Sequence, residues 1–164
     1  MIVMKKEAGA TMIELMVALF ILAVGLLGAL ALQMNSVRSS QSAVFTSDAQ
    51  VVAVNMADRI MAYNSVLTTD EDDDYAGINT TALPADPNCK VAGCSAANRV
   101  ASDVNEWGRE LASRLPGGQG TITYAANVYT ILVMWDRDNT GANATGCGGN
   151  PEVDLTCYQL EFRL

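Results

Sequence analysis

Histidine is missing from all 164 residues, and that single absence removes an imidazole general base, a Ser-His-Asp relay and most catalytic zinc arrangements. Proline does not occur before residue 84, and glycine is missing from residues 29 to 76. No helix breaker therefore interrupts the chain over that stretch. Basic residues are scarce, ten Lys and Arg against eighteen Asp and Glu, for a net charge of −8. Without a basic patch there is nothing to grip a phosphate backbone, so nucleic acid is not an expected partner. Cysteine is absent from the first 88 residues and then occurs four times, at Cys89, Cys94, Cys147 and Cys157. An even count confined to the region after a long apolar segment fits two disulfides in an exported domain. The spacings CKVAGC and CGGNPEVDLTC lack the paired C-x-x-C knuckles of structural zinc. Four free thiols or one four-thiolate metal site are the alternatives. Sequence-adjacent pairing, Cys89 with Cys94 and Cys147 with Cys157, is the simplest of three connectivities, and the spacing leaves the choice open.

What is present is an extreme concentration of apolar residues. Residues 15–32 read LMVALFILAVGLLGALAL, with no charged or hydrogen-bonding side chain. As a helix this run is roughly 27 Å long, close to the thickness of a bilayer's hydrocarbon core. Lys5 and Lys6 precede it, so the positive-inside rule keeps the N-terminus cytoplasmic and places the rest of the chain outside. Three readings compete: a permanent single-span anchor, a secretory signal cut after Ala31 at the A-x-A-like Ala29-Leu30-Ala31, and a signal cut in front of the apolar run. Glu14 discriminates between them. A charged side chain deep in a membrane costs about 2.5–3.5 kcal/mol on insertion scales, so an acid at the entrance of the span is a functional candidate. The bland alternative is a carboxylate that reaches the headgroups and does nothing.

Around Glu14 stands Gly9-Ala10-Thr11-Met12-Ile13-Glu14, a small residue closing a basic leader with an acid five positions later. The stretch GATMIELMVALFILAVGLLG resembles the class III signal of type IV pilins and type II secretion pseudopilins, although that family usually has Phe where Ala10 stands. The resemblance implies cleavage by a prepilin peptidase after Gly9, N-methylation of Ala10, and use of Glu14 as the assembly acid. The chemistry is coherent by itself. A new terminal amine at Ala10 and the carboxylate of Glu14 lie one helical turn apart, and the acid complements the helix dipole. If neighbouring subunits stagger, the amine of one meets Glu14 of the next, and both charges are paired in a low-dielectric site. Ala18, Gly25, Gly28 and Ala29 permit close helix approach, though such residues are common in any membrane helix.

After Gln33 the chain turns polar, and Val44, Val52, Met56, Ile60 and Tyr63 recur at helical spacing with Arg38, Asp48, Asp58 and Arg59 on other faces. This predicts an amphipathic continuation of the same helix to about residue 63. Residues 64–101 read as a loop region, and the run DEDDD at 70–74 as a solvated surface. Asp103-Val104-Asn105-Glu106 reads as a capping-box start, with Val104, Trp107, Leu111 and Leu115 on one helical face and Pro116-Gly117-Gly118 as the stop. TITYA at 121–125 and VYTILVMW at 128–135 read as paired strands joined at Ala126-Asn127, and Tyr158, Leu160, Phe162 and Leu164 alternate in a final strand. Trp107 and Trp135 read as core or sheet-face residues rather than a ligand platform. Asp136, Asp138 and Thr140 imitate the opening of a calcium loop with Gly141 sixth, but the twelfth position is Cys147 instead of Glu, so the site is a weak one and a polar turn is its rival.

The expected fold is α+β, a pilin fold with a long helix packed on a C-terminal antiparallel sheet. Its expected segments are a cleaved leader at 1–9, a membrane or filament-core part at 10–32, an amphipathic part at 33–63 and a periplasmic head at 64–164. NMADRIMAY at 55–63, Trp107, LPGGQG at 115–120 and YTILVMWDRD at 129–138 resemble minor pilins of the PilV type. That resemblance implies a non-enzymatic subunit of a type IV pilus tip or initiation complex, serving adhesion or twitching. Its partners would be other minor pilins, the major pilin, an inner-membrane assembly platform, the prepilin peptidase and a tip adhesin; no cofactor is implied. Rivals are a type II secretion pseudopilin and, from another class, a soluble periplasmic binding protein released after Ala31.

Overall fold

A computed structural model describes residues 11–64, 73–150 and 152–164. The chain divides into two compact units, one ending at Gln41 and one running from Ser42 to Leu164. Helix α1 spans Met12–Asn64 without a break, which the lack of Gly and Pro over its second half permits. Thr11 opens it, its carbonyl accepting from the N–H groups of Glu14 at 3.0 Å and Leu15 at 3.3 Å. In the polar middle, Ser40 and Thr46 turn their hydroxyls back onto the carbonyls of Ser36 and Ser42, so these side chains are satisfied within the helix itself.

Within the second unit, the last four turns of α1 bury Ala49, Val52, Ala53, Met56, Ala57, Ile60 and Tyr63. The 3–4 spacing is that of a helix lying on a core. Val44 is not part of this face: it is 57% exposed, and the neighbouring Phe45 packs against the core in its place. One residue corresponds to about 100° of rotation, which carries Val44 off the buried stripe.

Four strands follow, β1 (Ile78–Asn79), β2 (Gln119–Ala125), β3 (Val128–Trp135) and β4 (Thr156–Phe162), in an antiparallel sheet of order β1-β2-β3-β4. Two helices, α2 (Cys89–Ala92) and α3 (Ala96–Arg114), lie between β1 and β2. The architecture is α+β, a long N-terminal helix with a four-stranded sheet. Strands β2 and β3 form a hairpin whose turn residues, Ala126 and Asn127, have φ of 51° and 61°. Two positive φ values in a two-residue loop match the twist of the flanking strands. Strand β3 is fully buried on one face and partly covered on the other. Tyr129, Ile131, Val133 and Trp135 join the main core, while Met134 packs with Leu155 and Ala142 on the other side. Cover on both sides suits a sequence that is nearly continuous in apolar residues.

The cap of helix α3 stands eight residues before the expected Asp103. Ser95 is its N-cap, accepting from the Asn98 N–H, and the Ala-containing stretch that follows is helical from Ala96. Asp103 is an interior residue whose carboxylate is taken by other side chains. Val104, Trp107, Leu111 and Leu115 are buried as their spacing implies. The helix stops at Leu115, held extended (φ −121°, ψ 133°) because the residue before a proline is disfavoured in the helical region. Two glycines allow α3 and β2 to approach closely. A Cβ at Gly118 would lie 2.3 Å from the Leu111 carbonyl oxygen, and one at Gly120 would lie 2.3 Å from the Trp107 ring. The loop region before α3 is shorter than its composition suggests, since β1 and α2 fall inside it. Beyond the other end of the sheet, Leu164 lies outside β4 and is 49% exposed.

Candidate functional site

Two groups of residues invite functional reading: the N-terminal segment with Glu14, and the polar loops of the head. Gly9 and Ala10 lie outside the described residues. Glu14 sits in the first turn of α1, where four backbone N–H groups point toward the N-terminus and favour a negative charge. No described residue forms an ion pair with its carboxylate. The residues after it are uncovered throughout: Leu15, Leu19, Phe20, Leu22, Leu26 and Leu30 are all more than half exposed. The helix is long and apolar enough to cross a membrane, and none of its most apolar window is buried. A Cβ added at Gly25 or Gly28 would meet nothing within 4 Å, so no contact among the described residues requires glycine there.

The head is closed by polar clips that the sequence does not announce. Arg59 of α1 donates from Nη1 to Asp103 at 3.0 Å and to Glu106 at 2.9 Å, both on α3. Its Nε donates to Asn55 one turn back. Burial works against the guanidinium's charge, but the two carboxylates outweigh it and its pKa is raised. Asp103 also accepts from the Tyr75 hydroxyl at 2.7 Å; burial first, and that carboxylate second, push the Tyr75 phenol upward. Tyr63 donates to Asp74 and meets Tyr75 edge-on with ring centroids 5.3 Å apart. These contacts clip the end of α1 to α3 and to the turn at 73–77. The one sequence clue is that Asp103 and Glu106 are three apart on a helix, which forms a two-carboxylate fork for a cation.

Asp136, at the end of β3, is buried and turned into its own loop. It accepts from the backbone N–H groups of Thr140 at 3.1 Å and Gly141 at 2.7 Å. Burial opposes its ionisation, but these donors prevail and hold its pKa below the ordinary carboxylate value. Asp138 instead faces Arg137 at 3.1 Å on the surface. Asp136, Asp138 and Thr140 therefore form a polar turn closed on itself rather than a ring of free oxygens. Among the described residues, no group of three or more acidic or cysteine side chains is gathered for a metal. Trp107 and Trp135 are both almost fully buried in the main core.

The four cysteines pair as Cys89–Cys94 and Cys147–Cys157, the sequence-adjacent connectivity, so neither free thiols nor a thiolate metal site remains. The first bond closes a short loop in front of α3. The second fastens the loop after β3 to the start of β4.

Comparison with known proteins adds one finding. Residues 4–30 match the family model described as the prokaryotic N-terminal methylation motif. No curated protein and no solved structure matches the chain.

Proposed function

We propose that this chain, a type IV pilin-like protein carrying a class III prepilin signal, is a minor pilin acting in the initiation or tip complex of a type IV pilus. The observation that carries the reading is the methylation motif at residues 4–30, which leads directly into a helix with uncovered apolar residues and an acid in its first turn. In this account the leader is removed between Gly9 and Ala10 by the prepilin peptidase, which methylates Ala10. The helix holds the subunit in the inner membrane, with the N-terminus cytoplasmic and the disulfide-bonded head in the periplasm. The amine of Ala10 then pairs with Glu14 of a neighbouring subunit. That pairing offsets the penalty of two isolated charges in an apolar environment and favours the docked state. Partners are other minor pilins, the major pilin, the assembly platform and a tip adhesin; the chain performs no catalysis.

The PilV-like segments around Trp107 and Trp135 favour a pilus over the pseudopilus of a type II secretion system, which uses the same signal. Deletion of the chain tests the choice. Loss of surface pili and twitching with normal export of secreted proteins is the expected result. Normal piliation with lost secretion would contradict it.

A further inference from the structure

The two edges of the head's sheet are finished differently. At one edge, β1 contributes only two residues, opposite Thr121 and Ile122, and Thr80 extends the cover to Gly120 by donating its N–H to the Gly120 carbonyl and accepting the Gly120 N–H on its hydroxyl. At the other edge lies β4, seven residues paired with β3 in unbroken register from Trp135↔Thr156 to Tyr129↔Phe162. Its sequence, TCYQLEF, contains no proline, no lysine and no bulge. These are the devices by which edge strands are ordinarily kept from pairing again.

Which backbone groups of β4 point outward follows from the hairpin. Ala125 and Val128 close a two-residue turn and so exchange both of their hydrogen bonds. Because direction alternates along a strand, Tyr129, Ile131, Val133 and Trp135 then bond toward β4. Their partners Phe162, Leu160, Tyr158 and Thr156 point inward, leaving the N–H and C=O groups of Cys157, Gln159 and Glu161 on the outer side. The preceding turn confirms the direction independently. The Leu155 N–H donates to the Ala144 carbonyl at 2.9 Å, and the Ala144 N–H donates to the Val153 carbonyl at 3.0 Å, a one-residue parallel bridge on this same side. Ala144 thus starts a line of pairing that stops before Cys157. Among the described residues, no backbone group continues it.

The side chains tell the same story. Tyr158, Leu160 and Phe162 pack against the core yet remain only partly covered, so the core is open along β4. The Cys147–Cys157 bond holds the start of the strand in place, which reduces the ordering cost of docking there.

The geometry points to β4 as the docking edge for an extended segment of a partner protein, added as a fifth strand beside Cys157, Gln159 and Glu161. The row of unpaired N–H and C=O groups is satisfied by another strand's backbone. The occupant's inward side chains are apolar, to cover Tyr158, Leu160 and Phe162. Its outward side chains are neutral or basic, because Glu161 is exposed there and the whole chain carries −8. That charge disfavours a second copy of the chain.

Amide hydrogen exchange of β4 tests this in the full chain, purified in detergent and, in parallel, in native membranes of the producing cell. Exchange of the amides of Cys157, Gln159 and Glu161 is expected to slow about tenfold or more in membranes, because strand addition shields them. The amides of Tyr158, Leu160 and Phe162 are slow in both states. Gln159→Pro removes one outward N–H and leaves the β3 ladder intact, since proline is tolerated with its nitrogen on the open side of an edge. It should fold, keep both disulfides and lose the membrane-dependent protection. Gln159→Ala should keep it. Equal exchange in the two preparations, or full protection in the proline variant, would overturn the proposal. Protection already complete in the purified chain, together with a dimeric mass, would assign the edge to a second copy and overturn it equally. The assembly role is read separately, from whether the wild-type chain occurs in sheared filaments.

Discussion

Helix α1 contains two apolar stretches of opposite character. Around Leu19 and Leu22 every large side chain is more than half exposed, whereas Val52, Met56 and Ile60 are fully buried. The backbone is the same helix in both, so the difference lies in what surrounds it. The later stretch concentrates its apolar residues on the one face that is covered, and of its large ones leaves only Val51, Val54 and Met61 partly open on the others. The earlier one is apolar on all sides, which is stable in contact with lipid or with other apolar helices, and not in water. The contrast teaches that hydrophobic content alone does not locate a core; its angular distribution does.

The largest expected effect concerns the charge at the head of the uncovered stretch. Removing one member of a buried ion pair costs roughly 3–5 kcal/mol, so Glu14→Val should lower incorporation into filaments about a hundredfold or more while membrane levels stay unchanged. Immunoblots of sheared filaments against membranes measure this. Normal incorporation would remove the charge-pairing role.

Next, the two stretches should answer truncation differently. Met56→Ala is expected to destabilise the head by about 2–5 kcal/mol through the cavity it leaves. Leu22→Ala, made in the uncovered stretch, should change the unfolding free energy of the head, read from the same denaturation curve, by less than about 0.5 kcal/mol. Similar effects at both sites would break the comparison.

A cross-link in the head has a smaller effect. Replacing Cys147 and Cys157 together by Ser opens a loop of sequence separation 10 and should lower stability by about 2–3 kcal/mol. The same denaturation curve reports it, with α1 helicity before residue 41 unaffected.

The smallest effect is a pH dependence confined to the head. Burial pushes the Tyr129 phenol up to about 12, above the ordinary value near 10, and Tyr75 shifts in the same direction. A raised pKa in the folded state means that the folded chain holds these protons longer. The Tyr129 contribution is complete below about pH 10 and is lost as pH rises through about 12. Thermal unfolding between these values should show a falling midpoint, and Tyr129→Phe should flatten the fall. An unchanged slope in that variant would show that the phenol is not responsible.

Much of this was legible in the sequence because it rests on local pattern. The apolar run, the spacing of Val52, Met56, Ile60 and Tyr63, the hairpin at Ala126-Asn127 and the alternation of Tyr158, Leu160 and Phe162 are each set by neighbours in the chain. What was not legible depends on contacts between distant residues. Asp103 looks like a helix cap, but Arg59 and Tyr75 claim its carboxylate, and the cap is Ser95 instead. Val44 fits the helical period, but the rotation of α1 on its core favours Phe45. Strand β1 exists because Ile78 pairs with Ile122, a partnership that two residues of sequence cannot signal. For the candidate site, Glu14 could be singled out because a lone acid beside an apolar run stands out without any tertiary context, whereas the open edge at β4 emerges only once the strand order is known.

The central claim is that the N-terminal segment is a prepilin signal whose helix is retained. Intact mass and N-terminal sequencing of the mature protein test it most directly. The account predicts a chain beginning at Ala10 and carrying one N-methyl group. A mature chain beginning at Leu32, or one still beginning at Met1, would contradict it.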